Sequence, residues 1–242
     1  MKAVAAGLCD AMLVDISHDV PPGSVSGGAY LLWSVAPACP GGTVHCAVVD
    51  PGVGTERAAL AVASGGQVFV GPDNGLLIPA ARRVGAPVAY RLTEPAFWRD
   101  PVSATFHGRD VFAPTAAHLA AGTPLSAVGD PATTYVDLTF PTGRRSGDAL
   151  HGEVLWVDGF GNLVTSIPGS LLEALPAGGD VVVEAASAVL RAKVARTFGD
   201  VGVGDGAVIV GSDGVVEVVI NQGSAAAHLG VAPGAGLRIG RG

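Results

Sequence analysis

Charge is scarce in this sequence. Only 14% of its 242 residues are Asp, Glu, Lys or Arg, and the only lysines are Lys2 and Lys193. With a formal net charge of −7 and scattered arginines, the chain has no basic patch to neutralise phosphates, which argues against nucleic acid as a partner. Three cysteines, Cys9, Cys39 and Cys46, are an odd number and lack the paired spacing of zinc sites. They read as structural thiols of a reducing compartment rather than as ligands or disulfides. Long apolar runs are also missing. Hydrophobic residues reach 49% and mean hydropathy +0.46, yet no stretch approaches the roughly 18 apolar residues of a membrane helix. Asp10 interrupts the apolar segment after Met1-Lys2, so no signal peptide is read there and the cytoplasm is the expected compartment.

What is present is Ala, Val and 36 Gly, a composition suited to tight α/β packing and buried subunit contacts. The length suits one large domain or two small ones. In the first half, short valine-rich runs bounded by glycine read as strands: Thr43 to Val49, Ala59 to Ala63 and Gln67 to Gly71. Leu76 to Val84 and Phe112 to Ala121 read as helices. This alternation predicts an α/β domain with a mostly parallel sheet over residues 1–143. The second half holds "GEVLWVD", "NLVTSI", "DVVVEA", "AVLRAKV", "AVIVG" and "GVVEVVI", with little helix apart from "SLLEAL". Short strands at such spacing predict a small all-β, barrel-like domain over residues 148–242. The polar, turn-rich "FPTGRRSGD" separates the two.

Within "VVDPGVGTER" an apolar strand ends in Asp50, a glycine-rich turn follows, and Arg57 opens the next strand. The carboxylate thus sits at the carboxyl end of a sheet strand, where open α/β sheets bind ligands. From this segment alone a structural Asp50–Arg57 pair pinning the loop is the preferred reading. "TFHGRDVFAP" places His107 in a polar loop just ahead of a helix, a position suited to a site; Asp110 there reads as a helix N-cap and Arg109 as its ion partner. Asp73-Asn74-Gly75 reads as a turn with an N-cap, and Asp15, His18 and Asp19 as a loop that orders itself. In "VDGFGNLVTSI", Asp158, Phe160 and Asn162 form a tight turn that also offers an aromatic face and an amide edge to a purine. "GSDGVVEVVINQGSAA" adds Ser212, Glu217 and Asn221. No His/Asp/Glu set has convincing zinc or facial-triad spacing, so no metal is expected.

Six segments in this order, "DISHDVPP", "VVDPGVGTER", "FVGPDNGLL", "TFHGRDVFAP", "VDGFGNLVTSI" and "VEVVINQGSAA", resemble the S-adenosylmethionine hydroxide adenosyltransferases, relatives of fluorinating and chlorinating enzymes. The resemblance spans nearly the whole chain. It implies an α/β N-terminal domain, a β-barrel-like C-terminal domain, and a homotrimer with the substrate between the N-domain of one subunit and the C-domain of the next. It implies hydrolysis of S-adenosylmethionine to adenosine and methionine, with that molecule as substrate and no cofactor. An Asp–Arg–His triad that activates water falls on Asp50, Arg57 and His107. Substrate contacts fall on Asp50, Asn162, Phe198, Ser212, Glu217 and, through backbone, Ile220, with Asp158 placed to meet the methionine ammonium. Halogenating relatives carry an aromatic hydroxyl residue where this chain has Asp50, and a longer loop nearby. A carboxylate repels halide, so the expected nucleophile is water.

The family pattern begins with a strand ending in Asp-Phe-Gly that has no counterpart here, and "MKAV" aligns with the first helix. The expectation is a start some 20–25 residues earlier, about the length of a strand and loop. Two other functions compete with hydrolysis: a non-catalytic adenosine- or S-adenosylmethionine-binding homologue, and a metal-dependent hydrolase built on His18, His45, His107 and nearby acids.

Overall fold

A computed structural model describes residues 1–172, 175 and 177–242, which divide into two units, Met1–Thr139 and Phe140–Gly242. The first unit holds five strands, β1 (Val44–Cys46), β2 (Ala59–Ser64), β3 (Gln67–Pro72), β4 (Val88–Arg91) and β5 (Pro131–Ala132), in the sheet order β1-β3-β2-β4-β5. Its helices are α1 (Lys2–Ala6), α2 (Val25–Val35), α3 (Ile78–Val84) and α4 (Ala113–Ala120), with a π-helical turn over Gly108–Phe112.

The sheet is mixed, which corrects the expectation of a mostly parallel one. Only β1 and β3 run parallel; β2–β3, β2–β4 and β4–β5 are antiparallel. For β2 and β3 the cause is Gly65-Gly66. They stand between the paired Ser64 and Gln67 with φ of 56° and 77°, the backbone of a two-residue hairpin turn, which joins neighbouring strands only antiparallel.

Alternation along these strands buries both faces of the sheet. Ala61 and Val70 face Val111, Phe112 and Ala116 of the π-turn and α4. On the opposite face, Ser64 donates to the Ala81 carbonyl of α3 at 2.6 Å. There too Gln67 donates to the carbonyls of Ala36 and Cys39 at 3.0 and 2.9 Å. The unit is therefore three layers deep. His45 is buried in it, its Nε2–H donating to Gln67 Oε1 at 2.8 Å and its ring stacked on Phe69 at 4.6 Å. Burial also pushes the Cys46 thiol up to about 12, so it stays protonated.

The second unit holds β6 (Arg144–Ser146), β7 (Ala149–Val157), β8 (Leu163–Pro168), α5 (Gly169–Leu172), β9 (Asp180–Ala185), β10 (Ala188–Val194), β11 (Gly206–Val210), β12 (Val215–Ile220), α6 (Ala225–Leu229) and β13 (Gly236–Arg241). Helix α5 covers the start of "SLLEAL"; Glu173 and Ala174 lie outside the described residues. Strand β13 pairs with β9 on one side and β7 on the other, closing a seven-stranded barrel in the order β13-β9-β10-β11-β12-β8-β7. Strand β6 adds outside β7. Every neighbouring pair is antiparallel except β10–β11. Period-two burial, as in Val181, Val183 and Ala185 of β9, fills the interior. Among the described residues no helix is long and apolar enough to cross a membrane.

Two outcomes follow for stability. Truncating Ile239, fully buried on the strand that closes the barrel, to Ala costs roughly 2–5 kcal/mol in chemical denaturation. The buried His45 ring prefers its neutral form, so its pKa in the fold lies below the ordinary 6.5. The unfolded chain takes up the proton first, and this contribution to stability is complete above pH 6.5 and is lost as pH falls below it. A His45→Gln variant, which does not titrate, shows a flatter melting temperature between pH 7 and 5 than the parent; equal slopes would refute this account.

Candidate functional site

Asp50 is reached by a chain that continues from β1 along β3, with Ala47 N–H donating to the Val70 carbonyl at 3.0 Å. Its backbone is braced from the side: Asn74 Nδ2 donates to the Val49 carbonyl at 2.8 Å while Asn74 Oδ1 accepts from Leu76 N at 3.2 Å. Asn74 thus does not cap the following helix, which begins at Ile78 behind Leu77. The turn after Asp50 closes through Val53 N–H to the Asp50 carbonyl and Thr55 Oγ1–H to the Gly52 carbonyl, at 3.3 and 2.7 Å. Gly54 is needed here. Its φ is 77°, and a Cβ on it would stand 2.5 Å from the Ala104 carbonyl oxygen. The turn carrying Asp50 and Arg57 therefore lies directly against the loop that carries His107.

Arg57 joins the two loops. Its Nε donates to Asp50 Oδ1 at 2.9 Å, its Nη2 bonds to Asp50 Oδ2, and the same Nη2 lies 3.0 Å from His107 Nδ1. A further bond runs from Nη1 to the Ala58 carbonyl at 3.2 Å. The guanidinium carbon stands 5.1 Å from the centre of the Phe112 ring, a cation–π seat. The Arg57 and Asp50 side chains are only 10% and 6% exposed, so each depends on the other for compensation of its buried charge. A guanidinium only donates hydrogen bonds. His107 Nδ1 is therefore the acceptor, and the proton of the neutral imidazole sits on Nε2. A carboxylate and a cation from one turn and an imidazole N–H from a second loop thus stand together, a set able to hold one water by acceptor and donor contacts.

Arg109 is the ion partner of Asp110, with Nε to Oδ1 at 2.7 Å. Asp110 is not a helix N-cap: it lies inside the π-turn, and α4 starts behind Phe112 without a side-chain cap. Near α1, Asp15 accepts from Lys2 and meets His18 Nε2 at 2.6 and 3.1 Å, an exposed cluster that ties its own loop.

In the second unit, Asp158 and Asn162 are brought together. Asp158 Oδ1 accepts from the backbone N–H of Phe160 and of Asn162, and Oδ2 from Asn162 Nδ2, all at 2.9 Å. The bonds present Phe160 outward at 82% exposure. Glu217, on β12 across from Val164, has its carboxyl pKa raised, first by burial and then by the negative charges of Asp158 and Asp213. Three acids therefore share one end of the barrel. Ile220 closes β12 and is buried, while Ser212 and Phe198 are exposed on separate turns; Phe198 opens a turn capped reciprocally by Thr197 and Asp200. Among the described residues no three His, Cys, Asp or Glu side chains gather to hold a metal. His18, His45 and His107 have the separate surroundings given above. Sequence reading passed over Phe112, for which an aromatic inside a helix-forming run offers no signal, and the bracing role of Asn74, which its place in a turn motif conceals.

Residues 1–129 match the SAM hydroxide adenosyltransferase N-terminal domain and residues 152–238 the C-terminal domain of the same family. An (R)-S-adenosyl-L-methionine hydrolase of Salinispora tropica is 47% identical over 94% of this chain and 85% of its own length. A fluorinase of Actinopolyspora mzabensis is 28% identical over 99% and 91%. The crystal structure of an uncharacterized conserved protein from Thermotoga maritima superposes with a TM-score of 0.92 at 36% identity, over 99% of this chain and 93% of that one. With both domains matched in order and relatives this similar over most of its length, the chain belongs to the SAM hydroxide adenosyltransferase family.

Proposed function

We propose that the protein hydrolyses S-adenosyl-L-methionine to adenosine and L-methionine, with Asp50, Arg57 and His107 acting on the attacking water. The observation that carries this reading is the Arg57 guanidinium bonded at once to the Asp50 carboxylate and to His107 Nδ1. The naming of relatives 42–47% identical as (R)-S-adenosyl-L-methionine hydrolases supports the substrate.

The reaction asks little of an acid. The sulfonium leaves as a neutral thioether, so the C5′–S bond breaks with its electron pair passing to sulfur. The enzyme supplies a positioned oxygen nucleophile. A water held between His107 Nε2–H and the Asp50 carboxylate directs its lone pair at C5′; the new O–C5′ bond forms as the old one breaks, and the water's proton passes to Asp50. Arg57, bonded to Asp50, stabilises hydroxide character on that oxygen as the proton leaves. Holding the two reactants in near-attack geometry contributes on the order of 7–11 kcal/mol. The carboxylate also opposes entry of halide, which favours water over the fluorinase chemistry of the 28% relatives.

For the nucleoside we assign contacts to Asp50, Asn162, Phe198, Ser212, Glu217 and the Ile220 backbone, and for the methionine ammonium to Asp158. These divide between domains of residues 1–143 and 148–242. Asp158 and Glu217 supply negative charge suited to a cationic substrate. On the family resemblance the working unit is a cytoplasmic homotrimer with each substrate held between the N-domain of one subunit and the C-domain of the next, and with no cofactor or metal.

Asp50→Asn keeps the shape and removes the proton acceptor, so adenosine formation falls by about 10²–10⁴ in kcat, read by chromatography of the products in chloride-containing buffer. Release of adenosine at the parental rate, or a 5′-chlorinated nucleoside in its place, would defeat the reading; tight calorimetric binding without turnover in the parent would mark a binding protein instead. Mixing Asp50→Asn subunits with Asn162→Ala subunits restores about a quarter of the sites after random reassembly, since an intersubunit site needs one intact residue from each neighbour. A mixture no more active than its parts would count against shared sites.

A further inference from the structure

We infer that Asp110, which no role above employs, is the positioning residue that sets His107 against Arg57. The inference rests on the proposed part of His107 in the reaction. Asp110 is fully buried in the π-turn, three residues past His107. Its Oδ2 accepts from Ser103 N–H at 2.9 Å and from Arg109 Nη2 at 2.8 Å, and its Oδ1 accepts from Arg109 Nε at 2.7 Å. Arg99 Nη1 stands 3.5 Å away as a second cation, and Arg99 N–H donates to the Asp110 carbonyl at 2.8 Å. One residue therefore ties residues 99, 103 and 109 into a closed loop.

His107 lies inside that loop, and so does Ala104, whose carbonyl presses on Gly54 of the opposite turn. The loop thus has two points of contact with the Asp50–Arg57 turn, and the clamp governs both. The charge of Asp110 makes the clamp stiff. Its pKa is held down at about 2, above all by the bonds from Arg109, so the carboxylate is ionised throughout the working range. A buried carboxylate stripped of these donors is costly, which disfavours every loop conformation that releases them. The π-turn adds to this, since its widened backbone is what sets Asp110 inward while Phe112 lies beneath Arg57. A purely structural ion pair would support folding and leave the reaction alone; a positioning residue acts on the turnover step through the imidazole.

The two are separated in the full chain by Asp110→Asn, which keeps the side-chain shape and removes the charge. Positioning gives a kcat for adenosine release lower by about 100-fold, the scale of an ångström misplacement, with KM little changed and the His107 ring signals in proton–nitrogen NMR moved from their parental positions. Arg109→Ala, which removes the more exposed half of the clamp, gives a smaller fall of the same character and serves if the first variant fails to fold. A folded variant with parental kcat and unmoved His107 signals overturns the inference, as does a lowered melting temperature with both readouts unchanged. His107→Ala in the same assay keeps the two ideas apart: full activity there refutes the role given to His107, while the ring signals of Asp110→Asn still decide whether Asp110 positions it.

Discussion

The guanidinium of Arg57 bonds to a carboxylate on one loop and an imidazole on another, and the arrangement of the first unit depends on that junction. Asp50 and His107 are 57 positions apart in the chain and have no backbone connection that would hold them together. Arg57 does so by geometry specific to its side chain. A planar fork with several donors can engage both oxygens of a carboxylate and still reach a ring nitrogen. The Phe112 ring beneath it offers its negative face to the cation. Because the pair is nearly closed off from water, loss of either member leaves the other as an uncompensated buried charge.

This junction has consequences for the imidazole. A donor aimed at Nδ1 makes that nitrogen the acceptor and leaves the ring proton on Nε2. Two sets of bonds then hold the loops that meet at Arg57. Asn74 holds the backbone just before Asp50, and Asp110 closes the loop around His107. In a chain with only 14% charged residues, five of them, Asp50, Arg57, Arg99, Arg109 and Asp110, take part in the Arg57 junction and the Asp110 contacts. The barrel of the second unit works differently. Closure through β13 pairs its strand edges, and one turn with Asp158 and Asn162 lies near Glu217 of β12. The raised pKa of Glu217 records first its burial and then the negative charges of Asp158 and Asp213 beside it.

Much of this was legible in advance. The six ordered motifs carried the family, and Asp50, Arg57 and His107 stood out as polar residues in glycine-rich or helix-leading loops of an apolar chain. The β-strands of the second unit were readable because period-two burial leaves a mark in valine-rich runs. The direction of the first sheet was misjudged, although Gly65-Gly66 between two short strands is itself a hairpin signal. Strand periodicity says nothing about whether a neighbour runs parallel or antiparallel. Asp110 was read as a helix cap because an acid before a helix is ordinarily one; the π-turn moves the helix start past it.

The amino-acid order by itself determined which segments are strands, where the turns must bend and which side chains carry acid, base and cation, because those properties are local to a few residues. Tertiary structure alone decided that one arginine reaches two loops, that a ring lies under it, and that a buried carboxylate grips three points of the chain. Those facts depend on distances between residues far apart along the backbone, and local propensity holds no record of them.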